Sequence, residues 1–360
     1  MVNARLVLAD GTSFEGESFG YPSSASGEVV FNTGMVGYPE SLTDPSYAGQ
    51  ILCLTYPLIG NYGVPDKSLE NGLIKNFESH KIQIQGLVVN QYSEKYSHHS
   101  AKKSFGEWLK EEKIPAITGI DVRALTKLLR ERGTMLGKIV VGENDVEIWD
   151  PNKDNLVEKV SIHKPITYGN SRKKILLVDC GAKNNIIHSL LARNVMVIRV
   201  PWDYDFNSKG GDGEALDFDG ILISNGPGDP KTCVETIQNI RKAMEQEIPV
   251  FGICLGNQLL ALASGADTYK LKYGHRGQNQ PAYIVGERKC FITSQNHGFA
   301  VNEATLQKGW EPWMRNANDD TNEGIRHKSK PFFSVQFHPE ANPGPVDTAF
   351  LFDEFLKVLK

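Results

Sequence analysis

The hydrophobic positions of this chain follow two different patterns, one before about residue 150 and one after about residue 172. The first part carries short β-type runs separated by glycine and proline, such as ARLVLADG, GEVVFNTG and IQGLVVN. Two segments there, SAKKSFGEWLKEEK and DVRALTKLLRERG, have the apolar spacing of helices, and Gly133 is placed to end the second. The pattern therefore predicts a smaller, strand-rich domain over residues 1–150.

After residue 172, buried strand patterns alternate with helical patterns. KILLVDCG, VMVIRVP, FDGILIS and PVFGI predict strands, and AKNNIIHSLLARN, TCVETIQNIRKAMEQE and LGNQLLALASG predict helices. This alternation indicates an α/β domain with a mainly parallel, doubly wound sheet over residues 172–360. The weakly patterned segment 151–171 predicts a linker. In such sheets, ligands bind at the carboxyl ends of the strands.

Composition and charge narrow the function classes without selecting one. The chain has 360 residues and a formal net charge of −4, so no strongly basic surface for nucleic acid is expected. No apolar run approaches the ~18 residues of a membrane span, and MVNARLVLADG lacks the apolar core of a signal peptide. The five cysteines are scattered without a CxxC pair, which favours a reducing compartment over a disulfide framework.

One cysteine occupies a position where its side chain can be reactive. Cys254 lies in GICLGNQ, where the strand pattern changes into a helix pattern, between Gly252 and Gly256. A sharp strand-to-helix turn brings backbones together at those flanking positions, so small residues fit there, as in a nucleophile elbow. The positive end of the following helix favours a thiolate. We interpret Cys254 as a nucleophile, although a buried core cysteine accounts equally well for the heptad alone.

A cysteine nucleophile needs a base, and His338 is the candidate. PFFSVQFHPE places His338 at the end of a strand-like run, with Glu340 two residues further along. In an extended segment the two side chains point to the same side, so Glu340 can hold the ring while His338 takes and returns a proton. Taken singly, His338 fits a structural role better; beside Cys254 it fits the catalytic role better.

Two further segments offer groups for a substrate. SNGPGDP follows a strand, and Gly226 and Gly228 let its backbone approach a ligand closely. One such amide, together with the N–H of Leu255, can form an oxyanion hole. A simple Gly-Pro turn is the alternative for this loop. TSQNHGFAV is a weaker candidate, in which Asn296 and Gly298 can read an amide or an α-amino acid group.

In combination, these motifs resemble the class I, triad-type glutamine amidotransferases. GICLG, the GPG loop, QNHGFA and HPE carry the resemblance, which covers about residues 172–360. It implies that Cys254 attacks the side-chain amide of glutamine to form a thioester. It further implies that His338 protonates the departing ammonia, with Glu340 as the third member of the triad, and that water then releases glutamate.

The first half of the chain narrows the resemblance. The segment from Gly27 to Gly63 is similar to the amino-terminal domain of the carbamoyl-phosphate synthetase small subunit, a domain that other amidotransferases lack. The resemblance implies a set of glutamine contacts: Ser46, Gly226, Gly228, Leu255, Gln258, Asn296, Gly298 and Phe299. Because Ser46 belongs to the first domain, the implied glutamine site lies where the two domains meet.

The same resemblance implies a partner. The ammonia would pass to a large ATP-dependent synthetase subunit or fused domain that makes carbamoyl phosphate from bicarbonate for pyrimidine or arginine synthesis. We expect no cofactor and no metal in this chain, with ATP, magnesium and bicarbonate bound by the partner. The sequence agrees, because the closest match to a phosphate loop, Gly133 to Lys138, has one residue too few between its glycines.

One position departs from the pattern of the family. Many members have histidine after the elbow glycine, where this chain has Asn257. Asn257, HRGQNQP and TNEGI are similar to the urea-cycle branch, some members of which have lost the cysteine and use free ammonia. This chain keeps Cys254 and His338, so we expect glutamine hydrolysis, in the cytoplasm or alternatively the mitochondrial matrix. The competing hypotheses are a silent module that stabilises a synthetase, and a thiol hydrolase acting on esters or peptides.

Overall fold

The computed structural model describes residues 2–207 and 216–359. The chain divides into two compact units, Met1–Asp154 and Asn155–Lys360. Each unit has its own apolar core, as expected for domains of this length.

The first unit is built mainly from strands. Its strands are β1 Val2–Leu8, β2 Ser13–Ser18, β3 Ala25–Asn32, β4 Gln50–Leu54, β5 Leu58–Ile59, β6 Val64–Pro65, β7 Leu69–Glu70, β8 Leu73–Ile74, β9 Gly86–Val88, β10 Gln91–Tyr92, β11 Ala101–Lys103, β12 Ala116–Thr118 and β13 Met135–Val141. Its α-helices are α1 Tyr38–Thr43, α2 Phe105–Glu111 and α3 Val122–Arg132, and 3-10 turns cover Pro45–Tyr47 and Pro151–Lys153.

Seven of these strands close into a barrel in the order β1-β13-β3-β4-β9-β12-β2. The barrel confirms a strand-rich domain and adds a closure that the hydrophobic pattern does not predict. Both predicted helices are present as α2 and α3. The Asp121 side chain accepts a hydrogen bond from the N–H of Ala124 at the start of α3, and Gly133, with φ of 101°, ends it.

The second unit alternates strands and helices. Its strands are β14 Ile166–Tyr168, β15 Lys174–Asp179, β16 Met196–Pro201, β17 Gly220–Ile223, β18 Val250–Ile253, β19 Asp267–Ile284, β20 Cys290–Asn302, β21 Trp310–Asn316, β22 Asn322–His327 and β23 Phe332–Val335. Its α-helices are α4 Leu156–Val160, α5 Asn184–Leu191, α6 Val234–Glu245, α7 Leu255–Ala263 and α8 Phe350–Val358, and 3-10 turns cover Pro230–Thr232 and Glu303–Thr305.

The strands of the second unit form a ten-stranded sheet in the order β14-β16-β15-β17-β18-β23-β22-β21-β19-β20. The pairs from β16 to β23 are parallel, which confirms the predicted parallel core. The sheet continues through antiparallel pairs to the long hairpin of β19 and β20. This extension was not predicted, because β19 and β20 carry many polar residues and lack a clean alternation.

Helices cover both faces of the parallel strands. Val250 and Phe251 are neighbours on β18 and therefore point to opposite faces. Val250 belongs to the core that includes Ile240 of α6 and Leu259 of α7. Phe251 packs against two rings of α8, Phe352 and Phe355, with ring centroids 6.1 and 5.5 Å away. The doubly wound arrangement that the alternation predicts is confirmed.

The segment 151–171, predicted to be a linker, is instead structured. It contains α4, whose Val157 is buried in the core of the second unit. It also contains β14, which pairs antiparallel with β16 at the edge of the ten-stranded sheet. The linker prediction is wrong because both elements are too short, at five and three residues, to show a periodic pattern.

Among the described residues, none of the helices has both the length and the apolar character needed to cross a bilayer. The five cysteines form no disulfide; Cys290 is exposed and the other four are buried.

The aromatic cluster that packs against β18 leads to a prediction about the free energy of unfolding. Phe251 is fully buried, and its ring lies 4.8 Å from that of Phe333. We expect Phe251→Ala to lower the free energy of unfolding of the second unit by about 3–5 kcal/mol, because it opens a cavity in the core. Val346→Ala, at a position 71% exposed, is the control and should change it by less than about 0.5 kcal/mol. Denaturant unfolding measures both, and equal small effects would contradict this account of the core.

Candidate active site

Four loops leave the carboxyl ends of parallel strands at one edge of the sheet. They are residues 180–183 after β15, 224–228 after β17, 254 after β18 and 336–340 after β23. Since these strands are parallel and adjacent, their ends lie side by side. This edge holds the nucleophile, base and oxyanion candidates that the sequence indicates.

The turn at Cys254 is sterically tight. Cys254 has φ of 56° and ψ of −104°, a region that non-glycine residues rarely occupy. A Cβ on Gly252 would lie 2.4 Å from the carbonyl oxygen of Gly256, and a Cβ on Gly256 would lie 2.3 Å from that of Ile223. Both glycines are therefore required by backbone contact. The Cys254 backbone N–H donates to the Val335 carbonyl at 2.9 Å, which ties the turn to β23.

His338 and Glu340 form a buried pair. The Nδ1 of His338 lies 2.6 Å from the Oε1 of Glu340, and both side chains are almost completely buried. Burial by itself lowers the pKa of His338, but the Glu340 carboxylate, and after it the Cys254 thiol, outweigh burial and raise it to about 10. Within the part of the chain that is described, Nε2 has no hydrogen-bond partner at normal length.

Lys183 adds a third charged group beside the His338–Glu340 pair. The sequence analysis did not identify it. The Lys183 ammonium lies 3.1 Å from Glu340 Oε1, with both groups buried, and also donates to the Ala341 carbonyl. Burial raises the pKa of Glu340, but Lys183 first and His338 second hold it down, at about 2. Lys183 follows the end of β15, so the strand-end argument that selected the other loops could have found it.

Most of the implied glutamine contacts surround Cys254. The Cys254 thiol donates to the Asn296 carbonyl at 3.8 Å. The Gln258 amide donates to the Phe299 carbonyl at 2.9 Å. Gly226 lies against the side chain of Leu255, because a Cβ there would come within 2.8 Å of Leu255 Cδ2. The structure thus brings one residue of the GPG loop, two of α7 and two of β20 to the same place.

The remaining contacts are less closely tied to the turn. Gly228 has φ of 84° and faces the side chain of Leu156. Gly298 lies next to the Arg276 guanidinium, which would be 3.3 Å from a Cβ there. Ser46 belongs to the first unit, in the 3-10 turn Pro45–Tyr47, where its N–H donates to Asp44 at 2.9 Å.

Asn257, the position that departs from the family pattern, has defined partners. Its Nδ2 donates to Gln336 Oε1 at 3.0 Å, and its Oδ1 accepts a hydrogen bond from the Ser334 hydroxyl at 2.8 Å. All three side chains are fully buried. Sequence reasoning missed Gln336, although a glutamine within the apolar run PFFSVQF was a signal.

The described residues contain one group with metal-ligating potential: His275, His297 and Glu323, whose ligand atoms lie within 4.8 Å of one another. These side chains already have partners. His275 lies between Asp319 at 2.9 Å and Glu323 at 3.3 Å, and these carboxylates overcome burial to raise its pKa to about 9. His297 Nδ1 donates to the Phe299 carbonyl at 2.9 Å. These contacts occupy both ring nitrogens of His275 and the Nδ1 of His297.

Comparison with known families decides how this geometry is classified. The family model described as "Glutamine amidotransferase class-I" matches residues 176–358, a little over half of the chain. The chain belongs to the class-I glutamine amidotransferases. The cysteine turn and the buried His338–Glu340 pair lie inside the amidotransferase match. A second model, "Carbamoyl-phosphate synthase small chain, CPSase domain", matches residues 6–139. The two matches together are those of a carbamoyl-phosphate synthase small subunit or its equivalent domain, which confirms the resemblance.

The amidotransferase has relatives of much greater length. It is 56% identical over 361 residues to "Multifunctional protein CAD" of Squalus acanthias, covering 98% of this chain and 16% of the relative. It is 51% identical to "Carbamoyl-phosphate synthase (ammonia), mitochondrial" of Homo sapiens, covering 99% and 24%. It is 49% identical to "Multifunctional protein URA2" of Saccharomyces cerevisiae, covering 99% and 17%. The chain thus spans a quarter or less of these relatives.

The geometry of the site predicts how the pKa of His338 changes when Glu340 is replaced. Because the Glu340 carboxylate is the main cause that raises the pKa of His338, we expect Glu340→Gln to lower that pKa well below 10, since Cys254 alone then opposes the effect of burial. Histidine-ring NMR across pH 5–11 measures it. The pKa of His275, which has its own carboxylate partners, should stay near 9 as an internal control.

The raised pKa of His338 also predicts how the stability of the protein depends on pH. Since the folded-state pKa of His338 is raised, its protonation stabilises the wild type fully below pH 6.5, and the contribution is lost as pH rises through about 10. Glu340→Gln should lose most of this pH dependence. An unchanged His338 pKa in the variant would contradict the assignment.

Proposed function

We propose that this chain hydrolyses L-glutamine to glutamate and ammonia through a thioester on Cys254. In this proposal the ammonia is delivered to an ATP-dependent synthetase subunit or domain that makes carbamoyl phosphate from bicarbonate. The observation that carries the proposal is a strained cysteine turn beside a buried His338–Glu340 pair in an amidotransferase domain.

The acylation step uses three parts of the site. The proton of Cys254 already resides on His338 Nε2 when the sulfur attacks the side-chain carbonyl carbon of glutamine. Since Glu340 favours the charged form of His338, the imidazole keeps this proton until the C–N bond breaks and then gives it to the leaving ammonia. The N–H groups of Gly226 or Gly228 and of Leu255 stabilise the negative oxygen of the intermediate.

The deacylation step reverses the proton path. His338, now neutral, takes a proton from water, which attacks the thioester carbon. The C–S bond breaks, glutamate leaves, and the proton taken from water stays on His338, which restores the starting state. Glu340 and Lys183 touch no substrate in this scheme; they orient and charge the imidazole.

The substrate contacts remain those implied by the family resemblance: Ser46, Gly226, Gly228, Leu255, Gln258, Asn296, Gly298 and Phe299. The clustering of Gly226, Leu255, Gln258, Asn296 and Phe299 near the sulfur supports this set. Ser46 enters the proposal as a contact from the first unit.

The partner in this proposal is a synthetase subunit or fused domain that binds ATP, magnesium and bicarbonate, while this chain holds no cofactor. Support comes from the length of the relatives, of which this chain covers only 16–24%, and from the carbamoyl-phosphate synthase name that one of them carries. We place the protein in the cytoplasm, with the mitochondrial matrix as the alternative, because the human relative is named as mitochondrial. Imaging of the tagged full-length protein distinguishes the two.

Glutamate release tests the proposed reaction. With the full chain and its synthetase partner, we expect Cys254→Ala to lower the rate of glutamine hydrolysis at least about 1,000-fold, because the nucleophile is lost. Cys290→Ala removes an exposed cysteine and is the matched control, with a rate within about two-fold of wild type. If wild type and Cys254→Ala are equally inactive, the chain is a silent module and the enzymatic proposal fails.

A second pair of variants separates the roles of His338 and Glu340. We expect His338→Ala to slow hydrolysis about 100- to 10,000-fold, since proton transfer is lost. Glu340→Ala should slow it less, because it removes orientation and charge rather than the transferring group. Steady-state kinetics measure both, and equal residual rates would contradict this division of roles.

A further inference from the structure

Buried carboxamides form a continuous hydrogen-bonded chain beside the nucleophile turn. We call Asn257, Gln336, Gln258 and the Phe299 carbonyl the amide network. Gln336 Oε1 accepts from Asn257 Nδ2 at 3.0 Å and from Gln258 Nε2 at 3.2 Å, and Gln258 Nε2 also donates to the Phe299 carbonyl at 2.9 Å. The network joins α7, β20 and the segment that leads to His338.

The orientation of each amide follows from one backbone group. The Phe299 carbonyl can only accept, so Gln258 must direct Nε2 towards it. The same nitrogen faces Gln336, which must therefore present oxygen. Asn257 must then present nitrogen to Gln336, and its oxygen receives the hydroxyl hydrogen of Ser334 at 2.8 Å. Every contact pairs a donor with an acceptor only in this arrangement, so the network has a single orientation.

These hydrogen bonds determine which atom of Gln258 is left for a ligand. Both hydrogens of its Nε2 are used within the protein, one by the Phe299 carbonyl and one by Gln336. Its Oε1 has no protein donor among the described residues. A substrate that touches this side chain therefore meets an acceptor and not a donor. Without Gln336, the carboxamide of Gln258 would lose the partner that fixes this choice.

We propose that Gln336 and Asn257 are positioning residues that hold the Gln258 carboxamide with Oε1 towards the substrate. This selects ligands that present N–H donors at that point, as the ammonium or carboxamide group of L-glutamine does. The inference rests on the proposed function and adds to it two residues that touch no substrate. It also gives Asn257 a role: its side-chain nitrogen keeps the oxygen of Gln336 turned towards Gln258.

The test measures glutamine affinity separately from chemistry. Removing the acceptor with Gln336→Met should raise KM for L-glutamine about 3- to 10-fold, the range for one lost hydrogen bond, with kcat within about two-fold of wild type. Calorimetric titration of L-glutamine into Cys254→Ala and into Cys254→Ala/Gln336→Met should give the same ratio of Kd values without turnover.

A double-mutant cycle shows whether Gln336 acts through Gln258. In a Gln258→Met background, Gln336→Met should have no further effect on KM, because there is no carboxamide left to orient. A residue that only supported the fold would lower affinity or kcat equally in both backgrounds, and that result would overturn the proposal.

Asn257→Asp covers the case in which Gln336→Met does not fold. It keeps the volume of Asn257 but replaces the donor with an acceptor, so Gln336 turns its nitrogen towards position 257. That nitrogen then also faces Gln258 Nε2, where two donors meet. KM should rise at least 3-fold. Asn239→Asp, the same change at a buried asparagine on α6, is the control and should leave KM unchanged.

The possible outcomes distinguish a failure of this inference from a failure of the proposed glutamine hydrolysis. An unchanged KM in both Gln336→Met and Asn257→Asp overturns the positioning role and leaves glutamine hydrolysis intact. A wild-type chain that, with its partner, neither binds nor hydrolyses glutamine overturns both.

Discussion

Backbone contact at the turn between β18 and α7 is the constraint on which the site depends. Because positions 252 and 256 carry only hydrogen, the first turn of α7 can lie against β17 and against the end of its own strand. That closeness forces Cys254 into a backbone conformation that a side chain rarely adopts, and it aims the sulfur at the loop edge of the sheet. The strain is local, while the doubly wound sheet and its aromatic core hold the turn in place.

Electrostatics at the same edge follow from burial. Lys183, Glu340 and His338 form a row in which the negative group stands between two positive ones, and all are withdrawn from water. Removal of one member of such a row leaves a charge unpaired in a medium of low dielectric constant, so each member maintains the protonation of the others. The charges that the proposed reaction uses are therefore also charges that stabilise the fold.

The sequence predicted those parts of the molecule whose signals are local. Alternating strand and helix patterns gave the parallel core, and glycines around Cys254 indicated the turn. The barrel was not predictable, because closure depends on pairings such as β1 with β13, which are far apart in sequence. The segment with α4 and β14 was misassigned because its elements are too short to show a period. Lys183 and Gln336 were missed because their importance lies in partners more than 75 residues away.

Strand β20 lies last in the order of the ten-stranded sheet, with β19 as its one neighbour there. Free strand edges invite pairing with other chains and hence aggregation. Here the carbonyls of Ser294, Asn296 and Phe299 are occupied by the N–H of His338, the thiol of Cys254 and the amide of Gln258. Part of this edge is thus covered by residues that surround the sulfur. The contribution of His338 is a backbone N–H, so a substitution there that changes reactivity leaves this cover in place.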